Sequence, residues 1–270
     1  MAEHGGLRLG VIGTGNMACA ILTGALASGV LEPEAVLASH PRQERRDEIR
    51  DSLGVAVTAD NREVAERSDV ILLAVKPQKV PQVLAEVGPL LAGKCLVSIA
   101  AGLSIDSLRR YVPEGAILRA MPNTPLMLGC GATVLTPRGE IPEAQYRLVF
   151  SLFEASGFAA SAPEEYMNAV TAVSGSSPAY FFRMAQAMTE AAAAFGLAPD
   201  LALQLTAQTM EGAARMLKES GHTAAELTAQ VCSPGGTTLA ALTAFDDMGF
   251  DALIREALTR CVKRAEELDA

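Results

Sequence analysis

Hydrophobic positions follow two regimes along the chain. Up to about residue 161, short and nearly continuous apolar runs alternate with stretches whose apolar residues recur at helical spacing. The runs predict strands over residues 7–12, 35–39, 55–57, 70–75, 96–100, 117–121, 132–135 and 158–161. Between them, Asp60 followed three residues later by Glu63 reads as a helix-capping pair, and Ser104 as the cap of a short helix reaching Arg110. Strands that are apolar at every position are covered on both faces, and alternation with helices makes them parallel. The pattern therefore predicts an α/β domain built on a mostly parallel sheet.

From about residue 163 the strand signal stops, and helices follow, broken at 175–178, 196–199, 220–222 and 233–236. The expected division is a sheet domain over residues 1–162 and an all-helical domain over 163–270, with no flexible linker between them. Residues 168–217 carry only Arg183, Glu190, Asp200, Glu211 and Arg215 as charged side chains, too few to give each helix a solvated face. A domain of about 110 residues has too little interior to hide such helices, so a second copy of the chain is expected to cover them; an alanine-rich monomer packed tightly on the sheet domain is the alternative.

Composition adds exclusions. The chain has 270 residues, half of them apolar, with 31 acidic against 22 basic side chains and a formal charge of −9. It is long enough to bury a core without staples, and its charge opposes non-specific binding to nucleic acid or to anionic membranes. Cys19, Cys95, Cys130, Cys232 and Cys261 are scattered, with no metal-ligand spacing to one another or to His4, His40 and His222. Neither a disulfide framework nor a metal site is expected. The first residues lack the order of a signal peptide and the run 70–75 is too short to span a bilayer, so the cytoplasm is the expected compartment.

The first strand runs into Gly13-Thr14-Gly15-Asn16-Met17-Ala18 and then into a helix striped by Met17, Ile21 and Leu22. Gly13 permits a tight turn, Gly15 lets backbone approach a pyrophosphate, and Ala18 lets helix and strand pack closely. Asn16 and Met17 open a helix whose N-terminus offers free N–H groups, which makes a Rossmann-type dinucleotide site. Ligands of such sheets lie beyond the carboxyl ends of the strands, which adds Ala74, Val75, Lys76 and Pro77, and also Ala100 and Ala101. Lys76 reads equally as a phosphate or ribose contact and as a solvated lysine at a helix start. Asn123, between Pro122 and Pro125, reads as a cofactor contact or as a structural turn residue. The second strand ends in Ala38-Ser39-His40-Pro41-Arg42, with no carboxylate to accept from a ribose 2′-hydroxyl. Ser39 and Arg42 suit a 2′-phosphate, so NADP(H) is the expected cofactor and NAD(H) the alternative; otherwise Arg42, Arg45 and Arg46 merely decorate a helix start.

Two helical segments complete a larger pattern: Ala172-Val173-Ser174-Gly175-Ser176-Ser177-Pro178-Ala179-Tyr180, and Val231-Cys232-Ser233-Pro234-Gly235-Gly236-Thr237-Thr238. With the glycine turn, Ala74-Val75-Lys76-Pro77 and Met121-Pro122-Asn123-Thr124-Pro125, they resemble the pyrroline-5-carboxylate reductase family, in order and over essentially the whole chain. The resemblance implies a Rossmann domain followed by a helical domain that interlocks in homodimers, often assembled further into decamers. It implies NAD(P)H-dependent reduction of the cyclic imine 1-pyrroline-5-carboxylate to L-proline, the last step of proline biosynthesis. The family usually carries Gly where this chain has Ser177.

The second segment also makes chemical sense by itself. Its glycines free backbone N–H groups at a helix start and its hydroxyls can donate to an anion, so Ser233, Gly236, Thr237 and Thr238 are candidate substrate residues. Thr238 is the candidate catalytic residue, bonding the ring nitrogen while the cradle holds the carboxylate; an ordinary capped surface turn is the alternative. Tyr180 reads as a packing residue and His222 as a surface-loop histidine. No strong general acid or base emerges, and a protonated imine needs chiefly to be positioned. A β-hydroxyacid dehydrogenase would want a lysine early in the helical domain, where residues 163–217 have none. A ketol-acid reductoisomerase would need paired carboxylates for magnesium, and Glu190 and Glu211 stand apart. A non-catalytic NADP sensor would need no anion cradle.

Overall fold

The computed structural model describes residues 6–269, and His4 lies outside them. All the expected strands form: β1 (Leu9–Ile12), β2 (Val36–Ser39), β3 (Ala56–Thr58), β4 (Val70–Leu73), β5 (Cys95–Ser98), β6 (Ala116–Met121), β7 (Gly131–Leu135) and β8 (Gly157–Ser161). Helices α1 (Asn16–Ala27), α2 (Gln43–Leu53), α3 (Asn61–Arg67), α4 (Val80–Val87), α5 (Ile105–Arg109) and α6 (Glu143–Glu154) connect them. The strands make one 8-stranded sheet in the order β3-β2-β1-β4-β5-β6-β7-β8. From β3 to β6 every pairing is parallel, whereas β7 runs antiparallel to β6, and β8 returns parallel to β7. Registers bring Ile12 level with Ser39 and Leu73, and Leu73 level with Ser98, so four strand ends finish together where the strand order reverses.

The uniform apolarity of the strands has the predicted cause. In β4, Val70 and Leu72 face a core shared with Ile21, Leu22 and Phe153, while Ile71 and Leu73 face another with Val64, Leu84 and Val87. Each such side chain contributes about 1.5–3 kcal/mol of transfer free energy when fully buried. Of the two predicted caps, Ser104 accepts from the Ser107 N–H at 3.1 Å. Asp60 accepts from the Arg62 N–H at 2.8 Å, but Glu63 pairs with Arg67 at 2.7 Å instead of closing a reciprocal box.

After β8 the described chain is helical: α7 (Met167–Val170), a π-helical turn at Thr171–Gly175, α8 (Ser177–Ala194), α9 (Pro199–Glu219), α10 (Ala224–Val231), α11 (Thr237–Asp247) and α12 (Phe250–Glu267). Contacts divide the described residues into two compact units, one running to Ser176 and resuming at Arg260, the other Ser177–Thr259. The division by contact thus falls beyond the 162/163 boundary expected from the pattern. The segment before α8 is tied to the sheet unit, where Asn123 Nδ2 donates to the Ser174 carbonyl at 3.3 Å. The helical unit hides little of itself. Ala202 and Thr206 are the buried residues of α9, and α10 and α11 have none. Phe181, Phe182, Leu203, Leu205, Leu253 and Ile254 stand exposed on the single chain. No described helix is long and apolar enough to cross a membrane.

Candidate functional site

The glycine turn is shaped by packing on one side and left open on the other. Gly13 has φ +90°, and a Cβ there would lie 2.6 Å from Val75 Cγ1 and 3.0 Å from the Ala74 carbonyl, so the turn is seated on the end of β4. Gly15 is the extended N-cap of α1; a Cβ on it would meet nothing within 4 Å, and no side chain caps the helix. Gly15 and Asn16 are exposed, Met17 is half-buried and Ala18 is fully buried against the strand. First-turn N–H groups of a helix have no intrahelical acceptor, so the sequence leaves an uncovered row of donors beside a backbone free of side chains. These features fit a dinucleotide pyrophosphate.

Neighbouring strand ends border the same edge of the sheet. Ala74 and Val75 are half-buried beneath the glycine turn, with the Ala74 N–H donating to the Ile12 carbonyl at 2.9 Å. Lys76 is exposed and its ammonium pairs with no described residue, and Pro77 follows it in a helical turn. Ala100 is buried and Ala101 half-buried at the end of β5. Asn123 turns inward: its Oδ1 accepts from the Ala132 N–H at 2.8 Å and its Nδ2 reaches Ser174. Of the two roles read for it, its side chain performs the structural one, pinning the π-helical turn to β7.

At the β2 end the structure separates two residues that were grouped together. Ser39 is 1% exposed and its hydroxyl donates to Asn61 Oδ1 at 2.7 Å, so it is not presented to an incoming phosphate. Arg42 is exposed and its guanidinium carries no partner among the described residues. Arg45 Nε leans on the Thr14 carbonyl at 3.4 Å, while Arg46 is held by the carbonyls of His40 and Pro41, both at 2.8 Å. Burial chiefly, and then the charges of Arg42, Arg45 and Arg46, hold the His40 imidazole below its ordinary value. The unfolded chain binds the proton that the folded chain refuses, so this group's contribution to stability is lost as pH falls from the ordinary imidazole range through the lowered value. Asn61 escaped the sequence reading; its only local signal was its place directly after the cap Asp60.

In the helical unit, the second motif forms an open helix start. Gly235 takes φ +70° and Gly236 is the extended N-cap of α11, with no side-chain cap. The Gly236 N–H donates to the Ser233 carbonyl at 2.9 Å, so it is spent in the turn. The donors left for an anion are those of Thr237, Thr238 and the next residue. Ser233 and Thr237 are exposed and Thr238 is half-buried, its hydroxyl without a partner among the described residues. Ser177 opens α8, and no described non-glycine residue has positive φ, so serine is accommodated where the resembling family usually has glycine.

A cleft of about 630 Å³, lined by Lys94, Arg109, Glu114, Arg138 and Gln145 among others, lies at the opposite edge of the sheet, where β5 and β6 begin. Its size does not make it the dinucleotide site, because Lys94 donates to the carbonyls of Ala65, Glu66 and Ser68 and Arg109 to those of Val112 and Gly115. It also lies beyond the wrong ends of the strands.

Residues 164–268 match the family described as pyrroline-5-carboxylate reductase dimerisation, and residues 8–102 the family described as NADP oxidoreductase coenzyme F420-dependent. The chain is 38% identical over 262 residues to a pyrroline-5-carboxylate reductase of Synechocystis, covering 97% of this chain and 98% of that one. Among solved structures it is similar to a pyrroline-5-carboxylate reductase from Coxiella burnetii, with TM-score 0.89, 35% identity and coverage of 98% and 99% of the two chains. It is also similar to a pyrroline carboxylate reductase from Plasmodium falciparum solved with NADP bound, with TM-score 0.89, 27% identity and full coverage, 100%, of both chains.

Proposed function

The chain belongs to the pyrroline-5-carboxylate reductase family and is a nicotinamide-dependent oxidoreductase; from that premise we propose how its residues divide the reduction of 1-pyrroline-5-carboxylate to L-proline. The observation that carries the reading is the uncapped start of α11, where the first-turn N–H groups have no side-chain cap and the Thr238 hydroxyl has no partner among the described residues. The Thr237 and Thr238 N–H groups and the Ser233 hydroxyl hold the substrate carboxylate. The Thr238 hydroxyl bonds the ring nitrogen and fixes which face of the C=N bond is presented. Gly13, Gly15 and the first turn of α1 hold the pyrophosphate of the cofactor, with Ala74–Pro77 and Ala100–Ala101 along its reduced end. When bound, the reduced nicotinamide supplies a hydride to the carbon of the C=N bond. An imine already protonated on nitrogen becomes the neutral amine on receiving it, so no side chain here has to act as a strong acid. The test is consumption of NADPH on adding pyrroline-5-carboxylate. Binding of NADPH without consumption contradicts the reading and favours a sensor.

NADPH is the proposed preferred cofactor, supported by the unpaired Arg42 guanidinium and by the absence of a carboxylate at the end of β2. Replacing Arg42 with Ala is expected to cut the ratio of kcat/KM for NADPH over NADH by about tenfold, the scale of one lost charge-assisted hydrogen bond. A parent enzyme that prefers NADH contradicts the assignment.

We also propose a homodimer through the helical unit, with dimers assembling further into a decamer, in a reducing cytoplasmic setting that suits five unpaired cysteines. The support is the exposed apolar surface of α8, α9 and α12, which water would not tolerate on a lone chain. Phe182→Asp is expected to lower the native mass to that of one chain in light scattering and to abolish activity; a parent protein that already runs as a monomer refutes the arrangement.

A further inference from the structure

The chain's last turn lies on one of the strand ends just assigned to the cofactor. Gly102, at φ +75°, closes the turn after Ala100 and Ala101, and a Cβ on it would sit 2.6 Å from Leu268 Cβ and 2.9 Å from the Ala265 carbonyl. Two residues on, the Ser104 N–H donates to Asp269 Oδ1 at 2.8 Å, across 165 residues of sequence. The next N–H, of Ile105, donates to Glu164 Oε1 at 2.7 Å, and the same oxygen accepts from Arg119 Nη1 at 2.9 Å. Arg119 is 4% exposed, and its Nη2 is buried without a partner among the described residues. Burial opposes ionisation of Asp269, but hydrogen bonds from Ser104 and Ser107 and the charge of Arg119 outweigh it and hold the carboxyl below its ordinary range. Asp269 thus holds the last N–H of the turn from Ala100 to Ser104, and Glu164, paired with the buried Arg119 guanidinium, holds the N–H that follows it, while Ala100 and Ala101 at the start of the turn are the residues assigned to the cofactor.

We propose that Asp269 is a positioning residue for the nicotinamide cofactor: by accepting the Ser104 N–H while Leu268 packs on Gly102, the chain's end holds the turn after β5 in the shape that receives the cofactor. This rests on the reading of Ala100 and Ala101 as cofactor contacts. The grip is a charge-assisted hydrogen bond to the backbone of the turn, so its loss acts through the population of the competent turn.

The test is NADPH titration by fluorescence, with steady-state kinetics and thermal melts, on full-length Asp269→Ala, Asp269→Asn and Ala101→Glu proteins. Asp269→Ala is expected to raise the Kd and KM for NADPH about fivefold, leaving the KM for the imine within about twofold. Asp269→Asn, which keeps an acceptor oxygen but no charge, is expected to fall between it and the parent. A folded Asp269→Ala protein that binds NADPH as the parent does overturns the proposal, as does a rise in both KM values together, which marks a general loss of structure. Ala101→Glu separates the two layers. If it weakens NADPH binding and Asp269→Ala does not, only the positioning role fails. If it leaves binding unchanged, the strand end does not face the cofactor and both ideas fall.

Discussion

Thr238→Ala is expected to lower kcat about 10- to 100-fold while leaving the melting temperature nearly unchanged. Thr238 lies in the first turn of α11, half-buried, with a hydroxyl that bonds no described residue, so truncation removes no native hydrogen bond. What it removes is a contact to the reacting ring. The charged N–H of the iminium donates to this hydroxyl, a hydrogen bond worth about 1.5–3 kcal/mol, and without it the ring carbon is no longer held at near-attack distance from the nicotinamide, so the loss appears in kcat. The carboxylate cradle survives, since it uses backbone N–H groups and the Ser233 hydroxyl, so the KM for the imine changes little. Parent-like turnover in this variant would remove Thr238 from the chemistry, and a Thr238→Ser protein that recovers most of the rate would locate the effect in the hydroxyl.

Gly13→Ala is expected to lower kcat/KM for NADPH about 100-fold and to destabilise the sheet unit by about 1–3 kcal/mol. Two costs fall on one atom. Alanine at φ +90° is strained whatever the space, and its Cβ would lie 2.6 Å from Val75 Cγ1 and 3.0 Å from Ala74 backbone. Relief requires the turn to lift from β4, which moves the donors at the start of α1 away from the pyrophosphate. Equilibrium unfolding together with cofactor titration measures both costs. Gly15→Ala is the internal control: its Cβ meets no protein atom, so stability is kept while cofactor affinity falls. Equal effects of the two substitutions on stability would contradict this division.

The fold was legible where local chemistry decides it. Strands such as β4, apolar at every position, have one stable environment, between two helical layers. Two glycines spaced as Gly13 and Gly15 between such a strand and a helix leave backbone bare where a phosphate can approach it. Pairing direction was less accessible, because the half-alternating burial of Gly131–Leu135 is the same whether β7 meets β6 parallel or antiparallel. The break between α11 and α12 at Gly249, φ +72°, was also missed, although Asp246-Asp247-Met248-Gly249 carries a turn signal, because no proline marks it and apolar residues continue at helical spacing on both sides. In the site, residues whose role is backbone conformation were readable and those whose role depends on a tertiary partner were not. Ser39 looked like a phosphate ligand until Asn61 claimed its hydroxyl, and Asn123 read equally as a cofactor contact and as a structural turn residue until its bonds with Ala132 and Ser174 showed the second role. Asp269 gave no sign at all, since its partner Ser104 is remote in the chain.

The most direct test of the account is a crystal structure of the enzyme with NADP⁺ and L-proline bound together. The expected result has the proline carboxylate on the Thr237 and Thr238 N–H groups, its nitrogen at the Thr238 hydroxyl, and its ring carbon about 3–3.5 Å from the hydride-accepting carbon of the nicotinamide. Proline seated elsewhere, for instance in the cleft beside Arg109 and Gln145, or a carboxylate held by side chains outside residues 233–238, would contradict it.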